Sequence, residues 1–124
     1  MKKYVDGYVL PIKLENVEQY RKMAEKAGKI WIWHGALAVV ECIGDDLDDL
    51  TIEKVVSFKQ SAGTLDDETV IFSWVEFKSK EHRDQVNAAV MADPRMNQIM
   101  DSGALMPFDV SRRIYGGFKI LLSL

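Results

Sequence analysis

The sequence predicts an α+β domain of the ferredoxin-like type, in which a four-stranded antiparallel sheet carries two helices on one face. Its 124 residues correspond to a single domain. Strand-type and helix-type hydrophobic patterns follow one another in the order strand, helix, strand, strand, helix, strand, which is the split βαβ arrangement. No linker and no internal repeat divides the chain. We therefore expect one domain over residues 1–124.

The first half of the chain predicts two strands and the helix between them. Residues 4–12 form an extended, alternating stretch rich in valine and tyrosine that ends near a proline, which is typical of a strand. From Glu15 onwards, apolar residues recur every three or four positions, which predicts a helix with Asn16 as its cap and Gly35 at its end. Residues 36–43 are the second predicted strand.

The second half predicts the rest of the sheet and its second helical layer. Residues 54–59 are rich in β-formers and indicate a short additional strand. The segment 69–78, TVIFSWVEFK, has the clearest strand pattern, and its apolar density predicts burial on both faces. A helix is expected over 79–92, and the Asp-Pro pair at 93–94 predicts the start of another short helix. The last strand is expected over 112–122, interrupted by Gly116 and Gly117.

Composition and charge exclude several classes of protein. Hydrophobic residues make up 48% of the chain and charged residues 28%, so intrinsic disorder is excluded. A net charge of -3 provides no basic surface for nucleic acid. The longest apolar runs, 36–40 and 88–92, are far shorter than a membrane span, and no signal-type segment follows the two N-terminal lysines. The single cysteine, Cys42, fits a reducing cytoplasm.

Metal and cofactor sites are not indicated by any motif. Residues 45–49 include four aspartates but lack the alternating ligands and closing glutamate of a calcium loop, which favours a solvated acidic loop over the metal site that such a cluster could also form. His34 and His82 lie in different elements without metal-ligand spacing. Gly116 and Gly117 lie inside a strand, where no phosphate-binding loop is formed. We therefore expect neither a metal nor a cofactor.

The alternation of side chains along each strand predicts which residues face the helices. The small set Val5, Gly7 and Val9 is expected under the helices, together with Cys42 in the second strand. The opposite face would then hold four charged residues together with several large apolar ones: Asp6, Glu41, Glu76, Arg113, Tyr8, Leu37, Val39, Phe72, Trp74 and Tyr115. Such a face is too apolar for water, and a second copy of the chain is its simplest cover.

Two hypotheses about function follow from this wall of residues. In the first, a homodimer encloses a small, partly apolar organic molecule between sheet and helices. Its acid/base candidates are Glu41, Glu76 and Asp6. Its ligand-binding candidates are Arg113, Trp74, Tyr115, Tyr8, Phe72 and Phe108. In the second, the charged residues form ion pairs within a solidly packed interface, and the protein is a non-catalytic binding or stress-associated module.

Several short strings, in this order along the chain, resemble the uncharacterised bacterial family DUF1428: YVDGYV at 4–9, VVECIGDD at 39–46, VIFSWVEF at 70–77, MADPRM at 91–96, MPFD at 106–109 and RRIYGGF at 112–118. The resemblance implies a ferredoxin-like dimeric α/β barrel and no established activity. The wider superfamily includes cofactor-independent monooxygenases and haem-degrading enzymes, so cofactor-free acid/base or monooxygenase-like chemistry is an expectation by analogy of fold. Haem chemistry is not expected, because neither histidine is clearly on the cavity face.

Overall fold

Four antiparallel strands, with three helices on one face and a short fourth helix against part of the other, form the fold in a computed structural model that describes residues 3–48, 55–101 and 106–124. In chain order the elements are β1 Tyr4–Lys13, α1 Val17–Trp33, β2 Ala38–Ile43, α2 Phe58–Ala62, β3 Glu68–Phe77, α3 Lys80–Met91, α4 Pro94–Met100 and β4 Ile114–Lys119. Short 3₁₀ turns, Leu14–Asn16 and Val110–Arg112, precede α1 and β4. The sheet order β2-β3-β1-β4 is the predicted ferredoxin-like topology.

The central strands β1 and β3 are the longest, and their pairing sets the register of the sheet. Tyr4 pairs with Phe77 at one end and Lys13 pairs with Glu68 at the other. The shorter strands β2 and β4 pair with β3 and β1 respectively and form the two edges. Because paired residues point to the same face, this register also fixes which side chains of all four strands lie together.

The helix boundaries follow local capping chemistry at most of their ends. The Ser79 and Asp93 side chains each accept a backbone N–H at the starts of α3 and α4, and Pro94 occupies the first turn of α4, as its sequence predicts. Gly35 has a φ of 113°, which suits the left-handed exit from α1. The expected cap at Asn16 is wrong, since its side chain makes no capping hydrogen bond and a 3₁₀ turn leads into the helix instead.

The strand predicted over 54–59 is wrong in the part that the structure describes, and Lys54 lies outside the described residues. Residues 55–57 are not in a strand, and Phe58–Ala62 is a helix. The Ser57 side chain accepts the N–H of Gln60 at its start, and Gly63, with a φ of 65°, ends it. These two end signals outweigh the β propensity of the apolar residues between them.

The predicted helix-facing residues are right for β3 but wrong for β1, β2 and β4. The helix-facing side chains of these three strands include Asp6 and Tyr8 in β1, Glu41 in β2 and Tyr115 in β4, with Arg113 just before β4. The prediction rested on small apolar sets fitting under helices. Polar side chains are instead placed there because the helices offer them hydrogen-bond partners.

The face away from the helices is therefore more apolar than expected. Register places on it these residues of the four strands: Val5, Gly7, Val9, Pro11, Lys13, Ala38, Val40, Cys42, Glu68, Val70, Phe72, Trp74, Glu76, Ile114, Gly116 and Phe118. The short helix α2 lies against one end of this face, where the Phe58 ring is 5.8 Å from the Phe72 ring. Cys42 is thus on this open face, contrary to expectation. Phe72 is 44% exposed, so the predicted burial of both faces of β3 does not hold within one chain. In the edge strand β4, Phe118 is 62% exposed.

Two clusters of buried apolar side chains fill the space between sheet and helices. One joins the ends of α1, α3 and α4 to β3 through Ile30, Phe77, Val86 and Met96, among others. The other joins the start of α1 to the far end of the sheet through Leu10, Ile12, Tyr20 and Ile71. Between these clusters the packing is incomplete, and a cavity remains there.

A buried ion pair anchors α3 to the central strand. Asp6 is fully buried, its Oδ1 accepts from Arg83 Nη1 at 2.6 Å, and its Oδ2 accepts from Asn87 Nδ2 at 3.3 Å. Arg83 also donates to the hydroxyl of Tyr115 at 3.1 Å. Burial opposes the charge on Arg83, but hydrogen bonds to Asp84 and Asp6 keep the pKa of Arg83 above its usual value. Asp6 is therefore a structural anchor.

We expect Arg83→Ala to lower the free energy of unfolding by about 3 kcal/mol, because it leaves a buried carboxylate without its counter-charge. Arg21→Ala, which removes an exposed i,i+3 pair with Glu18, is the matched control and should lower it by less than about 1 kcal/mol. Urea denaturation monitored by circular dichroism measures both values. Equal losses in the two variants would contradict the assignment of Asp6 and Arg83 as the anchor.

Candidate functional site

A cavity of about 160 Å³ lies between the sheet and helices α1 and α4. Most of its wall is apolar, and among its described lining residues only Glu41 and Arg113 are charged. The lining comprises Tyr8, Leu10, Tyr20, Met23, Ala24, Ala27, Gly28, Trp31, Val39, Glu41, Ser73, Val75, Met96, Ile99, Met100, Met106, Phe108 and Arg113. An apolar hollow with a few converging polar groups is the usual form of a small-molecule site.

Small residues on the inner side of α1 create this space. Ala24, Ala27 and Gly28 face the sheet, and a Cβ added to Gly28 would lie 3.2 Å from a methyl carbon of Val39. The helix therefore approaches β2 closely at Gly28 and leaves room beside its two alanines. One turn later, Trp31 forms part of the wall, and its indole N–H donates to Asn87 Oδ1 at 3.0 Å. That hydrogen bond fixes the orientation of the ring.

A carboxylate, a phenol and a hydroxyl meet at one side of the cavity. Glu41 in β2 is paired with Ser73 in β3, and the hydroxyl of Tyr20 in α1 donates to Glu41 Oε2 at 2.8 Å. Glu41 stays accessible to solvent at the rim, yet the surrounding protein displaces enough water to raise the pKa of its carboxyl. The hydrogen bonds from Tyr20 and Ser73 partly oppose that rise in pKa.

The hydroxyl of Tyr20 keeps its proton and so acts as the donor in this pair. Tyr20 is 6% exposed, and burial is the main reason why the pKa of Tyr20 is raised. The negative charge of Glu41 raises it further. Because one partner holds its proton and the other accepts a hydrogen bond, the orientation of the Glu41 carboxylate is fixed toward the cavity.

A cation lies on the other side of the same cavity. The guanidinium carbon of Arg113 is 5.7 Å from the centroid of the Tyr8 ring, and Tyr8 is 5.0 Å from the ring of Tyr115. Burial, followed by the charge of Asp6, raises the pKa of Tyr8 above its ordinary value. The cavity therefore offers one cation, one carboxylate and neutral phenols.

A wider groove of about 600 Å³ runs along the opposite side of α1, over the edge strand β2. Its walls include Ile32, Trp33 and Ile43, and it shares Tyr20 and Glu41 with the cavity. It is the larger of the two spaces, and its charged residues on α1, Arg21, Glu25 and Lys29, pair with one another on the exposed side of that helix. We therefore place the site in the cavity, where polar groups from four elements converge.

The structure separates the predicted site residues into three groups. Four of them line the cavity: Tyr8, Glu41, Phe108 and Arg113. Three lie on the opposite, open face of the sheet: Phe72, Trp74 and Glu76. Asp6 and Tyr115 lie on the helix side but belong to the Arg83 network. The single wall predicted from the sequence is thus divided between two faces.

The sequence reasoning did not identify Tyr20, Ser73 or Trp31 as site residues. A signal for Tyr20 and Trp31 was present in α1, where two large aromatic residues flank the small residues Ala24, Ala27 and Gly28 on one helical stripe. Small side chains between two large aromatic rings, on the stripe of a helix that faces the core, indicate a space beside the helix. No comparable local signal exists for Ser73.

Neither metal binding nor a membrane span is indicated among the described residues. Over 3–48, 55–101 and 106–124, no three His, Cys, Asp or Glu side chains are close enough together to hold a metal ion. Asp48 in the acidic loop pairs with Lys59 at 3.0 Å, and Asp49 lies outside the described residues. None of the described helices has the length and apolar character needed to cross a bilayer.

Comparison of the sequence with known proteins finds relatives over nearly its whole length. A family model described as "Protein of unknown function (DUF1428)" matches residues 3–110. The "Uncharacterized protein YbaA" of Escherichia coli K12 is 42% identical over 120 residues, which cover 97% of both chains. The YbaA of Shigella flexneri is similar to the same extent. None of these descriptions names an activity.

A solved structure shares the fold. The crystal structure described as "a dimeric ferredoxin-like protein" from an uncultured marine organism aligns over the full length of both chains, with a TM-score of 0.57 and 10% sequence identity. This comparison independently supports the ferredoxin-like fold. At such low identity it establishes nothing about the site.

We expect Tyr20→Phe to raise the pKa of Glu41 further, because it removes a hydrogen bond that stabilises the carboxylate. A titration of the Glu41 side-chain carboxyl by ¹³C NMR measures this value. Tyr4→Phe, which removes a hydroxyl at the distant end of the sheet, is the control and should leave the titration unchanged. A Glu41 that titrates at or below about 4.3 in the unmodified protein would show that the carboxyl is not perturbed.

Proposed function

Because the chain belongs to the DUF1428 family of proteins of unknown function, we propose its function from its geometry: it is a homodimer whose protomers each bind a small, partly apolar organic molecule between sheet and helices. The observation on which this proposal chiefly rests is the cavity beneath α1 and α4, with its apolar wall and its two charged groups. Dimerisation and ligand binding use opposite faces of the same sheet.

The size and lining of the cavity support a ligand built around a single ring or a short branched chain. Apolar protein cavities of about 150 Å³ accept a molecule the size of benzene, and this one measures about 160 Å³. Three aromatic rings, those of Tyr20 and Trp31 in α1 and of Phe108 in the loop before β4, contribute flat surfaces to the wall. Methionine side chains such as Met23 and Met96 adapt their shape to an irregular ligand.

Glu41 is the group best placed for cofactor-free acid/base chemistry. Its raised pKa brings a carboxyl closer to the pH at which it both accepts and returns a proton. Tyr20 and Ser73 hold it in one orientation. Glu76 lies on the open face, away from the cavity, and Asp6 is enclosed by Arg83 and Asn87, so Glu41 alone of the three candidates is available to a ligand there.

The alternative, a non-catalytic module with a solidly packed interface, predicts no space larger than one or two water molecules at the site. The cavity under the helices favours ligand binding over this alternative. Both hypotheses allow the open face of the sheet to be a packed dimer interface. The two hypotheses therefore differ in what fills the helix side of the sheet.

Dimerisation through the open face is supported by its composition. Apart from Glu76 and the cross-strand pair of Lys13 and Glu68 at one end, the residues that the register places there are apolar or glycine, and Ile114 is 48% exposed in one chain. Contiguous apolar patches of this kind usually mark an interface. The solved neighbour of the same fold is itself described as dimeric. A second copy would cover each face symmetrically.

We expect Phe72→Glu to convert the dimer to a monomer, since it places a charge in the middle of the apolar face. Met91→Glu, at a similarly exposed apolar residue on helix α3, is the control and should leave the dimer intact. Sedimentation velocity at micromolar concentration measures both. A Phe72→Glu variant that stays dimeric, or an unmodified protein that is already monomeric, would contradict dimerisation through this face.

We expect a small molecule to be retained by the protein as purified from cells and to be lost from the variant Ala27→Phe, whose added ring fills the cavity. Ala88→Phe, which adds the same ring to an exposed position on α3, is the control. Native mass spectrometry, followed by extraction of the ligand, measures retention. Equal retention by both variants would place the ligand outside the cavity, and an empty protein with no cavity in a crystal structure would favour the packed module.

A further inference from the structure

We propose that the ligand of the cavity is an organic monoanion, a carboxylate bound by Arg113 and attached to a compact apolar or aromatic body. This inference rests on the proposed function and defines the chemical class of the molecule that fills the site. It depends on how the arginines of the chain are paired, on which groups surround Arg113 and on the shape of the space beside it.

Arg113 differs from the other four arginines of the described chain in lacking a counter-charge. Each of the others forms at least one ion pair with a carboxylate: Arg21 with Glu18 and Glu25, Arg83 with Asp6 and Asp84, Arg95 with Asp93, and Arg112 with Glu68. Within residues 3–48, 55–101 and 106–124, no carboxylate lies within ion-pair distance of Arg113. The preceding residue, Arg112, donates to both carboxylate oxygens of Glu68, so position in the sequence alone does not explain why Arg113 has no ion-pair partner.

The surroundings of Arg113 are suited to a carboxylate that arrives with a ligand. Arg113 is exposed at the mouth of the cavity, its guanidinium carbon lies 5.7 Å from the centroid of the Tyr8 ring, and its N–H groups make no hydrogen bond to another described side chain. Arginine presents parallel donors that match the two oxygens of a carboxylate, and such charge-assisted pairs are stronger than neutral hydrogen bonds. The cavity thus offers one cation, at its solvent-exposed mouth, to the anionic group of a ligand.

The remaining wall limits the rest of the ligand. Val75, Met96 and Trp31 offer no charge and few hydrogen bonds, so the body of the ligand must be apolar. A second negative charge would have to approach Glu41, which carries the only other formal charge among the described lining residues. A single carboxylate on a ring-sized body satisfies Arg113 and leaves the apolar wall in contact with apolar atoms.

The experiment compares one acid with its neutral analogues of the same shape. We use 4-methylbenzoate, 4-methylbenzamide and 4-methylbenzyl alcohol as probes and measure binding by isothermal titration calorimetry and by ligand-observed NMR. We expect the acid to bind at least tenfold more tightly than either neutral probe. Arg113→Gln should remove most of this preference, and Arg21→Gln, at an exposed arginine of α1, should retain it.

Two results would overturn the inference, and they are distinguishable. If the neutral probes bind as tightly as the acid and Arg113→Gln changes neither, the cavity still binds small molecules but does not select an anion. If the acid binds equally well to the cavity-filled variant Ala27→Phe, the probe binds elsewhere, and both this inference and the proposed site fall. Circular dichroism of each variant confirms that the chain is folded.

Discussion

The rest of the structure depends on the orientation of the central strand β1, that is, on which of its side chains point toward the helices. Asp6 in this strand is fully buried and paired with Arg83 of α3, so it lies under the helical layer. Side chains alternate with a strict period of two, and hydrogen-bonded neighbours share a face, so this one orientation is transmitted to every strand of the sheet. It places Tyr8, Glu41 and Ser73 beneath the helices and leaves Phe72, Trp74 and Phe118 on the other side.

This division gives the two faces different chemistry. The helix side keeps the polar and charged groups, because α1 and α3 provide partners such as Tyr20, Arg83 and Asn87, and small residues of α1 leave a cavity among them. The open side collects apolar side chains and glycines, and several of these side chains, such as Phe72, Ile114 and Phe118, stay largely exposed in one chain. A ligand site and a dimer interface can then occupy opposite sides of one sheet, and neither needs the residues of the other.

The sequence was sufficient for the fold and for part of the site. The periodicity of α1, the strand pattern at 69–78 and the Asp-Pro start of α4 are local signals, and the structure confirms each of them within a few residues. The facing of β1 is not a local property, because the partner of Asp6 lies 77 positions away and a pattern of small and large residues cannot reveal it. The sequence identifies Glu41 and Arg113 as candidate site residues but places them on the wrong face of the sheet. Tyr20 and Ser73 were not identified, since their importance comes from contact with Glu41.

The most direct test of this separation of faces uses the three tryptophans of the chain as reporters in one two-dimensional ¹H–¹⁵N NMR spectrum of the indole groups. Trp31 lines the cavity, Trp74 lies on the open face, and Trp33 packs against Arg95 at the surface. Titration with 4-methylbenzoate should shift the Trp31 signal and leave Trp74 unchanged, whereas dilution through the dimer-to-monomer range should shift Trp74 and leave Trp31 unchanged. A ligand that shifts Trp74 while Trp31 stays in place would contradict the account.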